Sequence, residues 1–335
     1  MLRIAVIATV LNEGESIRGL MDSLSAQTLQ PDEVIIVDGG SSDNTVEVLN
    51  TYRNRLSLQV LVEQGSNISA GRNRAFQAAA SDIIAITDAG VVLAPEWLEQ
   101  ITAPLREQPS FQVVSGFFQA DPHTIFEAAL GAATLPLVEE IDPDTFLPSS
   151  RSVAVRRAAA LRVGGYPEWL DYCEDLIFDL RLKQIASPFT FAPDAIVYFR
   201  PRPSLKAFFK QYYRYARGDG KADLFRKRHA ARYLTYLLIA PALLLLSVWA
   251  SPAFWLLFLV GAAVYLWRPF ARLPRVLNGA KAQNRLSITA STRLIAWLYI
   301  PVIRVVGDLA KMLGYPAGWR WRLQNRPPDW RVPPL

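Results

Sequence analysis

Ile35-Ile36-Val37-Asp38-Gly39-Gly40-Ser41-Ser42-Asp43-Asn44-Thr45 opens as a short β-branched run and closes in residues that turn and cap. The apolar part, residues 34–37, has the length and branching of a strand, while Gly39 to Thr45 joins flexible glycines to helix-capping side chains. A tight turn should therefore lead into a helix through Val46, Leu49 and Tyr52. Working outward, the alternation recurs in both directions. Apolar runs at 4–9, 58–62 and 83–87 read as strands, and Ile17, Leu20, Met21 and Leu24 recur at i, i+3, i+4 and i+7 as one helical face, with a further helix over 70–80. Strand and helix alternate in this way to about Ala120, which predicts βαβ units and an α/β fold with a parallel sheet. Ligands of such a sheet gather outside the carboxyl ends of its strands. Asn12-Glu13, Asp38 and Asp88 each fall just past such an end, so they mark a candidate site along one sheet edge.

Beyond Phe111 the pattern is mixed to Phe199, with strands expected at 113–118 and 196–199 around a helix-rich stretch that includes 152–161 and 176–185. Arg200-Pro201-Arg202-Pro203 breaks it, and residues 205–215 then interleave Phe208, Phe209, Tyr212, Tyr213 and Tyr215 with Lys206, Lys210 and Arg214 in an amphipathic pattern. Two uncharged apolar runs follow, 233–250 and 253–267, divided by Ser251-Pro252; they predict a helical hairpin in lipid, transmembrane or re-entrant, each arm short of the usual ~20 residues. Arginines and lysines flank both outer ends, so the positive-inside rule puts both ends in the cytoplasm. Residues 294–315 carry Arg304, Asp308 and Lys311 and suit a helix lying in the interface better than a third span, with Trp319, Trp321 and Trp330 as a belt at headgroup level.

Composition agrees with this division. A chain of 335 residues exceeds the usual single core, and 51% hydrophobic against 20% charged residues, below the ~25% of soluble domains, leaves an apolar surplus to place. The net charge of +6 lies largely beside the apolar runs, without any zinc-finger, RRM or helix-turn-helix signature, which favours a membrane surface over nucleic acid. The single Cys173 excludes an intramolecular disulfide, and the first residues lack the length and cleavage site of a secretory signal. His123 and His229 have no metal-ligand spacing. Thr9 to Glu13 lacks the glycine-rich fingerprint of a dinucleotide oxidoreductase.

Several motifs in order, from Ile4 to Leu182, resemble the family 2 glycosyltransferases, inverting enzymes of the GT-A fold. Thr9-Val10-Leu11-Asn12-Glu13 is similar to the family's first nucleotide-binding turn, the stretch from Ile35 to Thr45 to its second, and Ser69-Ala70-Gly71-Arg72-Asn73 to its Ala-Arg-Asn helix start. Gly164-Gly165-Tyr166 followed by Glu174-Asp175 and a helix resembles the acceptor-side motif, and Gln211-Tyr212-Tyr213-Arg214-Tyr215 the Gln-x-x-Arg-Trp of membrane-bound relatives.

The resemblance implies a Rossmann-like GT-A domain over 1–200, and the patterning after it adds a basic, aromatic linker at 201–232, a membrane hairpin at 233–268 and an interfacial tail at 269–335. The resemblance also implies donor contacts by Thr9, Asn12, Glu13, Asp38, Arg72 and Asp88, with Asp38 on the base or ribose, and Asp175 as general base, with Glu174 positioning it or contacting the acceptor. Gln211, Arg214 and Tyr215 become candidates for the diphosphate or acceptor. The expected reaction transfers sugar from a UDP-, GDP- or dTDP-sugar to a lipid-linked or other glycan acceptor in cell-envelope polysaccharide synthesis, with the catalytic domain facing the cytoplasm. Two departures stand out: Gly39 follows Asp38, and the metal-binding Asp-x-Asp is Asp88-Ala89-Gly90, leaving Asp88 as the one carboxylate for Mg²⁺ or Mn²⁺. Apart from the resemblance, Asp88 reads equally as a loop cap and Glu174-Asp175 as an acidic helix start. The alternatives are a transferase acting on polyprenyl phosphate itself and a non-catalytic membrane scaffold that binds nucleotide sugars.

Overall fold

The structure is a computed structural model that describes residues 2–331. In chain order the elements are β1 (Ile4–Val10), α1 (Arg18–Ser25), β2 (Glu33–Asp38), α2 (Thr45–Asn50), β3 (Leu58–Val62), α3 (Ile68–Ala78), β4 (Ile83–Ile86), β5 (Val91–Leu93), α4 (Trp97–Glu107) and β6 (Val113–Ala120). They continue with α5 (Ile125–Thr134), β7 (Val153–Arg156), α6 (Arg157–Arg162), α7 (Glu174–Lys183) and β8 (Thr190–Phe199). Five helices close the chain: α8 (Leu205–Ala222), α9 (Arg226–Leu234), α10 (Ala240–Trp249), α11 (Phe254–Ala282) and α12 (Ala290–Asn325). Ala120–Leu137 and Arg200–Pro327 form one compact unit and the remaining described residues another.

The first unit is built on an eight-stranded sheet in the order β3-β2-β1-β4-β7-β6-β8-β5. β3, β2, β1 and β4 run parallel, whereas β7 is antiparallel to both β4 and β6, and β5 is antiparallel to β8. Both faces of the central strands are covered, which is why they read as nearly continuous apolar runs. Val6, Ala8 and Ile36 pack on one face with Leu20, Leu24 and Trp97, while Ala5, Ile7 and Ile35 pack on the other with Phe76 and Phe178. This is the period-two alternation of a strand.

The four strands expected to form a parallel sheet do so, the antiparallel half falls largely in the stretch whose pattern is mixed, and one of its strands corrects an expectation. Residues 152–161 read as helix, yet Val153–Arg156 is a strand between β4 and β6, and the helix begins only at Arg157. Four residues are too few for periodicity to tell a strand from a helical turn, and burial at the centre of a sheet decides it.

In the second unit, Ala128, Ala129 and Ala132 of α5 form a core with Phe208, Leu273, Leu277, Ala296, Ile300 and Ile303. α8 and α12 meet backbone to backbone through glycine. A Cβ on Gly220 would lie 2.3 Å from the Tyr315 carbonyl oxygen, one on Gly314 2.2 Å from that of Tyr213, and one on Gly318 2.1 Å from that of Arg217. Gly318→Leu should therefore lower the thermal midpoint of the solubilised chain, by about 1–3 kcal/mol or more of stability. An unchanged midpoint would mean that the helices do not approach this closely.

Helical structure runs from Arg226 to Trp249 through a π-helical segment, breaks at Ser251-Pro252 and resumes as α11. Both stretches, 24 and 29 residues, are long and apolar enough to cross a membrane, and both exceed the expected arms because helix continues through the basic flanks. Their apolar side chains face outward, Trp249 being 84% and Val264 74% exposed. α12 absorbs residues 294–315 and continues through Trp319 and Trp321.

Candidate active site

The site is organised by Arg72. Asn67 caps α3 by accepting from the Ala70 amide at 2.9 Å. Gly71 then lets the helix settle on β1, since a Cβ there would lie 2.8 Å from the Thr9 methyl. Arg72 is thereby driven inward to 2% exposure. Its guanidinium donates to Glu174 Oε1 at 2.9 Å and to Asp88 Oδ1 at 2.7 Å, and its carbon sits 4.9 Å from the centroid of the Tyr166 ring. Asp88 stands just beyond β4, and Arg151 Nε lies 3.5 Å from its other oxygen. One buried fork thus joins an acid at the sheet edge to an acid at the head of α7.

Gly164-Gly165-Tyr166 prepares that helix. Gly165 has φ +65° and a Cβ there would strike Asn73 Oδ1 at 2.3 Å, so the position requires glycine. Asn73 in turn accepts from the Tyr166 amide at 2.8 Å and donates to its carbonyl at 2.9 Å. Tyr166 is buried between Phe76 and Phe178, with its hydroxyl 2.7 Å from Ser150 Oγ. Cys173, in the left-handed region at φ 65°, turns the chain into α7, whose first residues are Glu174 and Asp175. Asp175 is half-buried, and its Oδ1 accepts from the Leu176 amide at 2.9 Å.

Four acids surround one buried cation. Burial disfavours the charge of Arg72, but Tyr166, Asp88, Glu174 and Asp175 outweigh it and hold its pKa above the ordinary value. Burial, and then the charge of Asp175, push Glu174 up to about 7 even though Arg72 opposes them. The same two causes raise Asp179, one turn further along α7, well above the carboxylate range, and its buried Oδ2 has no hydrogen-bond partner. Such groups keep protons in the folded chain that the unfolded chain has released, so their contribution to stability is complete below the unfolded pKa and falls as pH rises. For Glu174 the window runs from about 4.5 to about 7. The thermal midpoint of Glu174→Gln should fall less than that of the wild type across this window, and parallel curves would contradict the assignment.

The turns that follow β1 and β2 are stitched to each other. Asn12, at φ 54°, accepts from the Ser42 amide at 2.9 Å, its own amide donates to Ser41 Oγ at 2.8 Å, and the Glu13 amide donates to Thr45 Oγ1 at 2.9 Å. Glu13 Oε2 accepts from Ser16 Oγ, and Thr9 lies half-buried at the end of β1. Asp38 has partners the sequence did not suggest: it is fully buried, and it accepts from the amides of Gly40 and Ser41 at 2.8 Å and from Ser41 Oγ at 2.5 Å. Its carboxylate holds the glycine turn shut, as aspartates do in Asx turns. Gln211, Arg214 and Tyr215 lie on α8 in the second unit, where Gln211 donates to the Tyr215 hydroxyl at 2.9 Å.

Among the described residues no three His, Cys, Asp or Glu side chains converge as metal ligands. At Asp88-Ala89-Gly90 a Cβ on Gly90 would meet no atom within 4 Å, so the place of the second acid is open space, while Asp88 faces Arg72 and Arg151. This donor set fits a divalent ion carried in on a diphosphate, with Asp88 as its one protein carboxylate, rather than a resident ion. Sequence reasoning missed Arg151, which no motif marks, and Asp179. The latter had a signal: an acid among Ile177, Phe178 and Leu182 on the buried face of α7.

Residues 5–163 match the model of glycosyl transferase family 2. The matched stretch is just under half of the chain. Among its relatives, the validoxylamine A glucosyltransferase of Streptomyces hygroscopicus subsp. limoneus is 25% identical over 149 residues, 42% of this chain and 31% of that one. The chain thus spans about a third of the length of that relative. Glycosyltransferase AglE of Haloferax volcanii is 27% identical over 224 residues, 62% of this chain and 70% of that one. In structure, the chain has the GT-A fold. The mannosyltransferase PcManGT of Pyrobaculum calidifontis, solved with GDP-Man and Mn²⁺, superposes with a TM-score of 0.55 at 18% identity, covering 97% of this chain and 88% of that one.

Proposed function

We propose that the chain is an inverting glycosyltransferase that moves a sugar from a nucleoside diphosphate sugar to a lipid-linked glycan acceptor at the cytoplasmic face of a membrane, in the synthesis of a cell-envelope polysaccharide. The observation that carries this reading is the Arg72 fork, which ties Asp88 at 2.7 Å to Glu174 at 2.9 Å and so fixes the start of the helix that presents Asp175. The match of residues 5–163 to the family model supports the transferase class. The two exposed apolar helices with basic flanks support the membrane setting and its orientation.

In this reading the donor lies along the edge formed by Thr9, Asn12, Glu13 and Asp88, with Asp38 keeping the second turn in shape. The acceptor hydroxyl loses its proton to Asp175 as its oxygen attacks the anomeric carbon. The bond from that carbon to the diphosphate breaks on the opposite face, and its electron pair leaves with the nucleoside diphosphate. Inversion at the anomeric carbon follows from a single displacement. Arg72 and Arg151 bring fixed positive charge beside Asp88, where charge develops on the leaving group. A Mg²⁺ or Mn²⁺ ion bound with the donor would be held by Asp88 and would neutralise part of the same charge. Glu174, buried and close to half-protonated at neutral pH, positions Arg72 and the first turn of α7.

The test is a panel of UDP-, GDP- and dTDP-sugars offered to the detergent-solubilised full chain with Mg²⁺ or Mn²⁺, following release of nucleoside diphosphate. One nucleotide class should be consumed. A chain that binds a donor without turning it over, whichever acceptor is supplied, would be the non-catalytic scaffold instead.

A further inference from the structure

α12 carries two faces of different character. Leu294, Leu298, Val302, Val305, Leu309 and Leu313 recur at spacings of three and four along one side, each at least 40% exposed. Arg304, Gly307, Asp308 and Lys311 recur at i, i+3, i+4 and i+7 on nearly the opposite side. A helix of this kind lies in a membrane interface with its apolar stripe toward the acyl chains, which puts its polar face at headgroup depth. The same depth is indicated for Arg272, one of the basic residues that follow the apolar part of α11.

The polar face lines a cavity of about 150 Å³ within the second unit, where Arg272, Arg304 and Lys311 meet Phe208, Tyr212 and Thr134. Lys311 Nζ lies 5.0 Å from the Tyr212 ring centroid and 3.6 Å from Asp308 Oδ1. That carboxylate is already claimed: Arg232 donates to it at 2.8 Å, Tyr265 at 2.5 Å and Tyr236 at 3.2 Å. Arg304 stacks over the Tyr265 ring at 4.4 Å, and its buried Nε has no hydrogen-bond partner. Burial, reinforced by Arg232 and Arg304 and opposed by Asp308, lowers Lys311 to about 8. Three cations therefore share one cavity, and the carboxylate beside them is held from behind by other donors.

We propose that this cavity binds the phosphate of a phosphorylated lipid, with Arg304 and Lys311 as its principal ligands and the lipid chain lying along the apolar stripe of α12. The inference rests on the reading of the chain as a transferase with a lipid-linked acceptor, and it names the group by which such an acceptor would be held. A phosphate here would supply the acceptor that Arg304 Nε lacks and the anion that Lys311 shares with three other donors. Depth in the interface selects a lipid-borne phosphate over a free one.

The test uses the full chain in a neutral detergent, with no donor present, and measures the Kd of farnesyl phosphate, farnesol and inorganic phosphate. Farnesyl phosphate should bind at least tenfold tighter than either of the others. Arg304→Gln and Lys311→Met should each weaken it by about tenfold or more, the loss expected for a charge-assisted hydrogen bond, and Lys311→Arg should restore most of it. Gel filtration and thermal unfolding identify any variant that fails to fold, and the conservative Lys311→Arg keeps the comparison open if Lys311→Met does. Equal binding of farnesol, equal binding of inorganic phosphate, or insensitivity to both neutralising variants would overturn the proposal. The two readings fail separately. Transfer without farnesyl phosphate binding would sink the cavity and leave the transferase, whereas binding without turnover of any donor would do the reverse.

Discussion

Asp175→Asn lowers sugar transfer by about 10²–10⁴-fold, the usual contribution of a positioned general base, while donor affinity changes little. Asparagine keeps the oxygen that accepts from the Leu176 amide at 2.9 Å, so the first turn of α7 should survive the substitution and the loss should fall on turnover. The comparison is made on solubilised protein, with donor affinity and initial rate measured side by side. A variant that turns over as fast as the wild type would remove Asp175 from the chemistry. A variant that loses donor affinity instead would move it to the donor side.

Arg72→Met carries the second large effect, and it acts on folding as well as on rate. The side chain is 2% exposed and paired with both Asp88 and Glu174. Removing one member of a buried ionic network leaves the others uncompensated, at a cost of about 3–5 kcal/mol. Because Arg72 is the group that holds Glu174 down, its loss should carry Glu174 further above 7, so that the acid is protonated at neutral pH. Arg72→Lys should rescue little, since an ammonium is a point charge and cannot span two carboxylates as the planar fork does. Thermal unfolding and donor turnover of the two variants check this. Near-native values for Arg72→Lys would mean that the fork geometry is dispensable and that charge alone suffices.

These expectations depend on features that the sequence displayed to different degrees. β1, β2 and β4 were legible because parallel strands covered on both faces read as short, nearly continuous apolar runs, and β3 because Leu58, Val60, Leu61 and Val62 form a short β-branched run. β5, at three residues, and β7, at four, were not, because a strand that short owes its conformation to its neighbours in the sheet and not to its own pattern. α12 shows the same dependence on tertiary partners. Arg304, Asp308 and Lys311 made residues 294–315 look too polar for a span, and the structure gathers them on one face while the opposite face remains apolar.

In the site, the positions of Asp88, Arg72, Glu174 and Asp175 could be read from strand ends and a helix start, but their mutual geometry could not. The fork exists because Gly71 permits α3 to approach Thr9 and because Gly165 lets the loop before α7 pass beside Asn73. Neither glycine announces its partner in sequence. Arg151 lay outside every motif, and Asp179 was hidden as one more charge in a helix. Asp38 shows the opposite limit, where the residue was singled out correctly as the end of a strand but its carboxylate turned back to hold Gly40 and Ser41.

The central claim is a single displacement at the anomeric carbon, and the configuration of the product tests it most directly. The donor consumed in the panel is supplied as a pure anomer with an acceptor, and the linkage formed is read from the anomeric coupling in a proton NMR spectrum. A single displacement gives a product of configuration opposite to that of the donor. A product that retains the donor's configuration would contradict it.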